Sequence, residues 1–277
     1  MPPSTVAAHV RILEDAALLR TDLRPAAHGL QKICSRLCDR VLVDLPAPAA
    51  GRRRRVEIAM PIGAYSDFDV APPCGLASDS SLIGYIDDRL SFYEPERVRA
   101  GLLWFGSGYL EYSFPNRLPE GAAPARVTVS LEVCSEAPRH NDRWPSDITL
   151  WINGCEVGTW ASPGDFGGTR GRLTPRWWNT DESQFGRLKR WTVTADGALL
   201  DGHPLSATSL ADLDLGRSPL TTVRIGVDPA GPRAGGLNLF GRGFGNHPQD
   251  ILMELEYAPG RPDADAPHGG LLPDAEV

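Results

Sequence analysis

Short runs of β-branched and aromatic residues, separated by glycine, proline and asparagine turns, fill the chain from residue 101 onward. Most runs alternate apolar and polar residues, and no amphipathic helical segment lies between them. A parallel α/β sheet needs crossover helices, so this pattern predicts a mainly β fold, an antiparallel β-sandwich or jelly-roll-like domain. The predicted strands here cover residues 102–105, 108–114, 125–134, 148–152, 156–160, 190–194, 222–227, 237–240 and 251–257. Earlier in the chain, residues 40–45 and 56–62 are also predicted to be strands, and residues 65–75 are interpreted as a polar loop.

One turn in this region has a specific signature. Asn153-Gly154 separates the runs 148–152 and 156–160. Asn-Gly is the preferred pair for a two-residue hairpin turn, because both central positions need a positive φ angle. The sequence therefore predicts a hairpin between these two strands.

Length and composition are those of a soluble globular chain. The 277 residues are 42% hydrophobic and 23% charged. No apolar run approaches the roughly 20 residues that span a bilayer, and Met1-Pro-Pro has neither the charge nor the apolar stretch of a secretory signal. We expect a cytoplasmic protein with no membrane partner.

The five cysteines are scattered and odd in number. This usage favours reduced thiols over a disulfide framework. Cys34 and Cys38 are close enough in sequence to suggest a metal or redox pair, but no nearby cysteine or histidine pair completes a site, so we favour a structural role for them. The sequence predicts no metal and no cofactor.

Charge is distributed unevenly along the chain. Residues 1–55 contain ten basic and five acidic side chains, a net of +5, which leaves −12 for the remainder of a chain whose total is −7. A basic end on an acidic body fits a nucleic-acid-binding module attached to a domain with another role. The run Arg52 to Arg55 is read equally well as a solvated linker.

The N-terminal segment has helical periodicity. Its apolar positions recur at 3.6-residue spacing, and polar or small residues lie on the other faces. Two short extended runs follow, residues 20–24 and 30–34, joined by a loop that ends at Gly29. The segment therefore predicts a helix followed by a β-hairpin, with these residues on the apolar side of the helix: Val6, Val10, Leu13 and Ala17.

The run Ser4-Thr-Val-Ala-Ala-His-Val-Arg-Ile-Leu-Glu-Asp-Ala-Ala-Leu18 resembles the recognition helix of ArsR-like winged helix-turn-helix regulators, which often reads S-T-V-S-x-H-L-x-x-L-x-x-A-G-L. Ala17 stands where that pattern prefers glycine. The later blocks, among them Trp144-Pro-Ser-Asp147 and Gly236-Leu-Asn-Leu-Phe240, resemble the long C-terminal domain attached to such a head in bacterial predicted regulators. The resemblance extends from Ser4 to Tyr257.

This resemblance implies a DNA-binding transcriptional regulator with an effector or oligomerisation domain. Two or three further helices precede the recognition helix in the family, whereas this chain begins at Met1. We therefore expect either a start codon further upstream that restores these helices or an N-terminally shortened relative of the family, and we expect DNA binding mainly in the presence of the helices. A homodimer is expected, because one helix buries too little surface for specific operator binding. The implied DNA-binding residues are Ser4, Thr5, Ala8 and Arg11 on the helix, and Arg24, His28 and Lys32 on the hairpin.

Composition and resemblance together give a domain plan. We expect a partial winged helix-turn-helix, the recognition helix and wing, over residues 1–45 and a basic linker over 46–55. A β-sandwich effector or oligomerisation domain should follow over 56–258. Residues 259–277, rich in proline, aspartate, glycine and alanine, are predicted to be a disordered tail.

A ligand site is predicted where tryptophans concentrate. Six of the seven lie between Trp144 and Trp191, interleaved with acids, amides and arginines. Aromatic faces stack on sugar rings while polar groups bond the hydroxyls, although tryptophan is equally an ordinary core residue. The predicted residues for a small polar or sugar effector are Trp144, Trp160, Asp165, Arg170, Trp178, Asn238 and Arg242.

The enzyme signatures are weak, and we favour a protein that is not an enzyme. None of the six histidines forms an H-x-x-x-H or H-x-H pair, and no G-x-S-x-G elbow is present. The alternative is a carbohydrate-binding β-sandwich module or a glycoside-active enzyme without DNA binding, in which paired acids such as Asp147 and Asp165 would act.

Overall fold

The computed structural model describes residues 3–16, 18–25, 29–38 and 54–258. The chain divides into two compact units, Met1–Ala50 and Gly51–Val277, called here the small and the large unit. The predicted strand at 40–45, residues 46–53 of the predicted linker 46–55 and the tail at 259–277 lie outside the described residues. The last two residues of that linker, Arg54 and Arg55, begin a strand instead.

The small unit contains one helix and one hairpin. Helix α1 spans Pro3–Asp15, and strands β1 (Leu19–Pro25) and β2 (Leu30–Arg36) pair antiparallel, with Leu19 opposite Arg36 and Pro25 opposite Leu30. The predicted succession of helix and hairpin is confirmed. The Glu14 carboxylate joins the two, since it accepts hydrogen bonds from Thr21 Oγ1 and Lys32 Nζ.

The large unit is mainly β, as predicted. Its strands are β3 (Arg54–Met60), β4 (Asp67–Ala77), β5 (Leu82–Ile83), β6 (Leu102–Pro115), β7 (Ala123–Cys134), β8 (Ser146–Ile152), β9 (Cys155–Ser162), β10 (Arg187–Thr194), β11 (Gly197–Leu200), β12 (His203–Ser206), β13 (Leu220–Val227), β14 (Leu237–Phe240) and β15 (Ile251–Ala258). Two 3-10 helices, Arg89–Tyr93 and Pro95–Arg99, and a short helix α2 (Leu210–Leu213) connect them.

All thirteen strands belong to one antiparallel sheet that has two branches. One branch runs β12-β11-β10-β7-β15-β3, and the other runs β5-β4-β6-β13-β8-β9. Both branches contribute to a single apolar core, for example through Val129 and Met253 of the first branch and Leu110 and Ile225 of the second. The large unit is therefore sandwich-like, with its core between the branches.

Strand β14 connects the branches. It pairs with the end of β7 on one edge, Asn238 opposite Cys134, and with the start of β6 on the other, Phe240 opposite Leu102. We call the ends of β7 and β6 together with β14 the junction. Its strands are buried on both faces.

Alternation along the junction strands gives it two chemically different faces. The inner face, directed into the main core, is apolar and consists of Leu103, Phe105, Leu131, Val133, Leu237 and Leu239. The outer face belongs to a second, smaller cluster and also contains two polar residues; it consists of Leu102, Trp104, Glu132, Cys134, Asn238 and Phe240. This outer face positions the candidate site.

The Asn153-Gly154 hairpin is confirmed. Ile152 pairs with Cys155, and the two turn residues have φ angles of 49° and 79°. Positive φ at both central positions is what this turn requires, and glycine adopts it without a Cβ penalty.

Two predictions about the strands are corrected. The runs 102–105 and 108–114 are one continuous strand, β6, and the segment 65–75, interpreted as a polar loop, contains most of β4. Asp67 and Asp69 of β4 lie at exposed positions of the strand, which explains their acidic side chains. In the described parts of the chain, none of the helices has the length and apolar character needed to cross a bilayer.

Candidate functional site

The outer face of the junction is overlaid by loops from three separate parts of the chain. Residues 135–146, 163–186 and 241–250, called here the cover, form this layer. Phe166, Trp178 and Phe244 of the cover pack against the apolar part of the outer face. Backbone hydrogen bonds connect the loops, with Leu173 N donating to Gly245 O at 2.9 Å and Ser135 N donating to Gly164 O at 3.2 Å.

Glu132 anchors the cover to β7. Its carboxylate is buried and accepts backbone N–H groups from Gly186 (2.9 Å), Asn246 (2.9 and 3.0 Å) and His247 (2.8 Å). Burial raises the pKa of Glu132, and these backbone donors oppose that shift. One acidic side chain in the buried part of β7 thus fixes two of the three cover segments.

Asp165 is the centre of a second buried group. It is fully buried, and its carboxylate accepts from Ala137 N (3.1 Å), Ser183 Oγ (2.8 Å) and Cys134 Sγ (3.6 Å). Burial raises the pKa of Asp165 to about 7, against the effect of these donors. Burial also raises the pKa of the Cys134 thiol well above its ordinary value.

Asn238 of β14 links this group to Glu136. Its side-chain Nδ2 lies within hydrogen-bond distance of Ser183 Oγ (3.2 Å), Ser135 O (2.7 Å) and Glu136 Oε2 (2.6 Å). The pKa of Glu136 is raised well above its ordinary value, first by burial and second by the nearby Asp165. A hydrogen-bonded path therefore runs from Asp165 through Ser183 and Asn238 to Glu136.

Glu136 and Asn238 lie in the wall of a cavity of about 350 Å³ that opens at the edge of the cover. Three tryptophans line the same space, and we call it the tryptophan cavity. The ring centroids of Trp104 and Trp178 are 5.7 Å apart at 56°, and those of Trp177 and Trp178 are 5.4 Å apart at 87°. The indole rings therefore stand at steep angles to one another and present differently oriented faces to a ligand.

Local structure fixes each ring. Trp104 lies opposite Gly75 of β4, where an added Cβ would come within 2.4 Å of its Cζ2 atom, so the ring needs a residue without a side chain beneath it. Trp177 Nε1 donates to Asp79 O and Trp178 Nε1 to Ser183 O, each at 2.9 Å. These two indoles offer a ligand their faces and C–H edges rather than their N–H groups.

The structure brings together three of the predicted ligand residues. Trp178 and Asn238 line the tryptophan cavity, and Asp165 connects to it through Ser183. Arg170 has a supporting position, because its Nη1 donates to Pro175 O (2.6 Å) and Trp178 O (3.0 Å) and so holds the loop that carries Trp178.

The other three predicted residues lie elsewhere. Trp160 is buried in the main core with Lys189 Nζ 4.8 Å from its ring centroid. Trp144 is 40% exposed, and Arg242 pairs with Asp250 at 3.6 Å. None of these three lines the tryptophan cavity.

Several cavity residues are absent from the sequence-based prediction. Trp104, Trp177, Glu136 and Glu182 line the cavity, and Glu132 anchors two loops of the cover. Two features of the sequence point to these residues. The run 102–105 is apolar at every position, which is typical of a strand covered on both faces. Glu132 is an acidic residue within a predicted strand next to apolar residues, as a hydrogen-bonded internal carboxylate is.

A larger and more open groove of about 710 Å³ lies on the exposed face of β4, β6 and β13. Its charged groups already have partners. Arg89 pairs with Asp69, Arg224 pairs with Glu111 at 2.9 Å, and the Arg224 guanidinium lies 3.8 Å from the centroid of the Tyr109 ring. The tryptophan cavity, with a carboxylate and amides in its wall, is the better candidate for a ligand site.

The predicted DNA-binding residues lie on all three elements of the small unit. Ala8 and Arg11 are exposed on α1, with Thr5 partly buried beside them, and Arg24 is exposed on β1. Lys32 of β2 pairs with Glu14 at 2.9 Å, and this contact is the first cause of the lowered pKa of Glu14. Ser4 belongs to α1, and His28 lies outside the described residues.

In the described ranges, no three histidine, cysteine, aspartate or glutamate side chains are grouped so that they could hold a metal ion. No protein-family model matches the chain, and no curated protein matches it. A crystal structure of the Agl-KA catalytic domain is similar over 80% of this chain, with 11% sequence identity and a TM-score of 0.30. This chain covers 32% of that one, and a likeness at this level assigns neither fold nor function.

Proposed function

We propose that the chain is a transcriptional regulator of the ArsR-like type, in which the small unit contacts DNA and the large unit binds a small, polar, sugar-like effector. The observation that supports the effector half is the tryptophan cavity, where three indoles and a carboxyl-amide pair, Glu136 and Asn238, line one space. Effector binding rather than catalysis is the proposed role of this site.

The size and chemistry of the cavity suit a sugar. About 350 Å³ lies within the range of pockets that hold small molecules. Indole faces pack against the C–H surface of a pyranose ring, and the side chains of Asn179 and Glu182 lie at the wall, where they can bond hydroxyl groups. The effector domain would then be a sandwich of the jelly-roll-like class with its ligand on the outer face of the junction.

The DNA half of the proposal rests on the small unit. We interpret α1 as a recognition helix and β1-β2 as the wing of a partial winged helix, with Arg11 and Arg24 as exposed cations for phosphates. Val6 and Leu13 of α1 are exposed apolar side chains. Further helices or a second copy of the chain would cover them, in keeping with a cytoplasmic homodimer.

Two exposed tryptophans provide a matched test of the effector site. Trp177 lines the cavity and Trp144 does not, although they are 38% and 40% exposed. In calorimetric titrations with neutral monosaccharides, we expect Trp177→Ala to weaken binding about tenfold and Trp144→Ala to leave it unchanged. Equal effects of the two changes would place the ligand elsewhere, and turnover of the sugar during the titration would contradict a purely binding role.

The DNA half is tested by fluorescence anisotropy with a labelled fragment of the gene's own promoter, using this chain and a version extended to the nearest upstream in-frame start. Replacing Arg11 and Arg24 by glutamate should weaken binding and reduce the salt slope by about two. Arg217→Glu, an exposed site of the large unit, is the control. If the double variant bound with the wild-type affinity and slope, the assignment of helix and wing would be wrong.

A further inference from the structure

We propose that the ligand of the tryptophan cavity carries a positive charge, and that a sugar with a free amino group binds there in preference to a neutral sugar. This inference rests on the proposed effector function and narrows the class of ligand. The argument depends on three features of the wall: its charge, the orientation of its indoles and the position of Glu136.

The wall contains more acidic than basic side chains. Asp87, Glu136 and Glu182 line the cavity, and Arg139 is the one basic residue among the described lining residues. Arg139 is exposed, whereas Glu136 and Glu182 are partly buried. Because an ionic contact deeper in the wall is less screened by water, a cation bound beside Glu182 or an ionised Glu136 is stabilised more than an anion or a neutral group would be.

The tryptophans provide the second feature. An indole face attracts a cation through its quadrupole, and tryptophan does so more strongly than other aromatic residues. Since the N–H groups of Trp177 and Trp178 bond backbone carbonyls, their rings interact with a ligand mainly through their π systems and edges. Three indoles at steep mutual angles beside carboxylates form the arrangement that recognises ammonium groups.

The third feature is the incomplete bonding of Glu136. Within the described parts of the chain, Asn238 Nδ2 is the one side-chain donor to its carboxyl group, and it bonds Oε2. The second oxygen, Oε1, has no donor there. An ammonium group carries several N–H donors, so one bound beside Glu136 would complete its hydrogen bonding and supply the missing opposite charge.

A consequence concerns protons. Burial together with the acidic Asp165, Glu182 and Asp87 raises the pKa of Glu136 in the empty cavity, and Arg139 is the cation that faces the same space. A bound ammonium group favours the ionised carboxylate, so Glu136 would release its proton to solvent when the ligand binds. We therefore expect affinity for an amino sugar to increase as pH rises through the raised titration range of Glu136, while the amine remains protonated.

The experiment compares glucosamine, N-acetylglucosamine and glucose by isothermal titration calorimetry, in buffers of different ionisation enthalpy so that proton release is counted. Glucosamine should bind about tenfold more tightly than the other two and should release protons. Glu136→Gln should remove both the preference for glucosamine over glucose and the proton release. Glu156→Gln, an exposed glutamate on β9, is the matched control and should change neither.

The outcomes separate this inference from the function on which it rests. Equal affinities for glucosamine and glucose would overturn the charge preference and leave the sugar-binding proposal intact. Failure of all three sugars to bind would overturn both. If Glu136→Gln lost its folded thermal transition, Asp87→Asn would replace it, because that exposed carboxylate also lines the cavity; an unchanged preference in a folded Asp87→Asn would then count against the proposal.

Discussion

The two faces of the junction are made by the same three strands and differ in almost every other respect. The inner face consists of aliphatic and phenyl side chains that pack into the main core. The outer face carries Glu132 and Asn238 between apolar residues and is covered by loops instead of a second sheet. Alternation along a strand thus lets one element stabilise the fold on one side and build a polar site on the other.

The largest effects are expected from substitutions at two neighbouring residues of β14, Leu239 on the inner face and Asn238 on the outer face. Leu239 is fully buried on the inner face, so Leu239→Ala should lower the free energy of unfolding by about 2–5 kcal/mol through lost burial and a cavity. Asn238→Ala, on the outer face, should cost about 1–3 kcal/mol because Glu136 and Ser135 lose their donor. Urea unfolding measures both changes.

The same two substitutions should affect ligand affinity in the opposite order, with the larger loss at Asn238. In the folded fraction, Leu239→Ala should bind sugar as the wild type does, and Asn238→Ala should not. Equal losses of affinity would show that the two faces are not independent.

Substitution of Glu132 tests whether the cover unfolds separately from the core. Glu132→Ala leaves the buried N–H groups of Gly186, Asn246 and His247 without an acceptor, and we expect a loss of about 2–3 kcal/mol. Glu132→Gln retains one side-chain oxygen and should lose less. Hydrogen exchange locates the effect: the amides of residues 246 and 247 should exchange faster, and those of β13 should not. Uniform acceleration would mean that cover and core unfold together.

The pH dependence of stability should also distinguish the two faces. Asp165 is bonded to Cys134 of the outer face, whereas the inner face has no titratable group. The folded protein keeps the Asp165 proton up to about pH 7, whereas the unfolded chain releases it near 3.8. The folded state therefore holds more protons between these values, and stability should fall as pH rises, by at most about 1.4 kcal/mol per pH unit from this group.

In Asp165→Asn this part of the slope should disappear, leaving the contributions of Glu132 and Glu136, which have the same sign. Asp196→Asn, in an exposed turn, is the control for a changed charge. Thermal unfolding from pH 4 to 7.5 measures the slope. Parallel curves for Asp165→Asn and the wild type would show that Asp165 is not the titrating group.

The smallest effect is expected at Arg170, which supports the cover from its exposed side. Arg170→Gln removes a charged donor from Pro175 O and Trp178 O and should cost about 1 kcal/mol or less. Sugar affinity should nevertheless weaken, because the loop of Trp178 is held less firmly. If affinity were unchanged, Trp178 would be positioned by its packing on Trp104 and Phe244 alone.

The strands of the large unit were predictable because their signals are local. Alternation located β7, β8 and β13, and Asn153-Gly154 fixed the turn after β8. Strand β4 was missed because its aspartates and Pro72-Pro73 resemble loop composition. Whether the chain contacts DNA is not decided by these local signals and stays a prediction.

The candidate site was only partly predictable because its residues meet through strand order. Trp104 and Trp178 are far apart in sequence and become neighbours since β14 pairs with both β6 and β7. Alternation gives the face on which a side chain lies but not which strand is adjacent. The concentration of tryptophans therefore gave Trp178 and Trp160 the same predicted role, although Trp178 lines the cavity and Trp160 lies in the core.

The position of β14 also sets the order in which the protein can be built. Its residues follow β6 by more than a hundred positions, yet they complete the junction between β6 and β7. On the ribosome, the tryptophans and acids of the cavity are synthesised well before Asn238, which joins them. The chain must therefore pass through a stage in which both branches can begin to pair while the binding site does not yet exist, and the site is completed only when β14 has emerged.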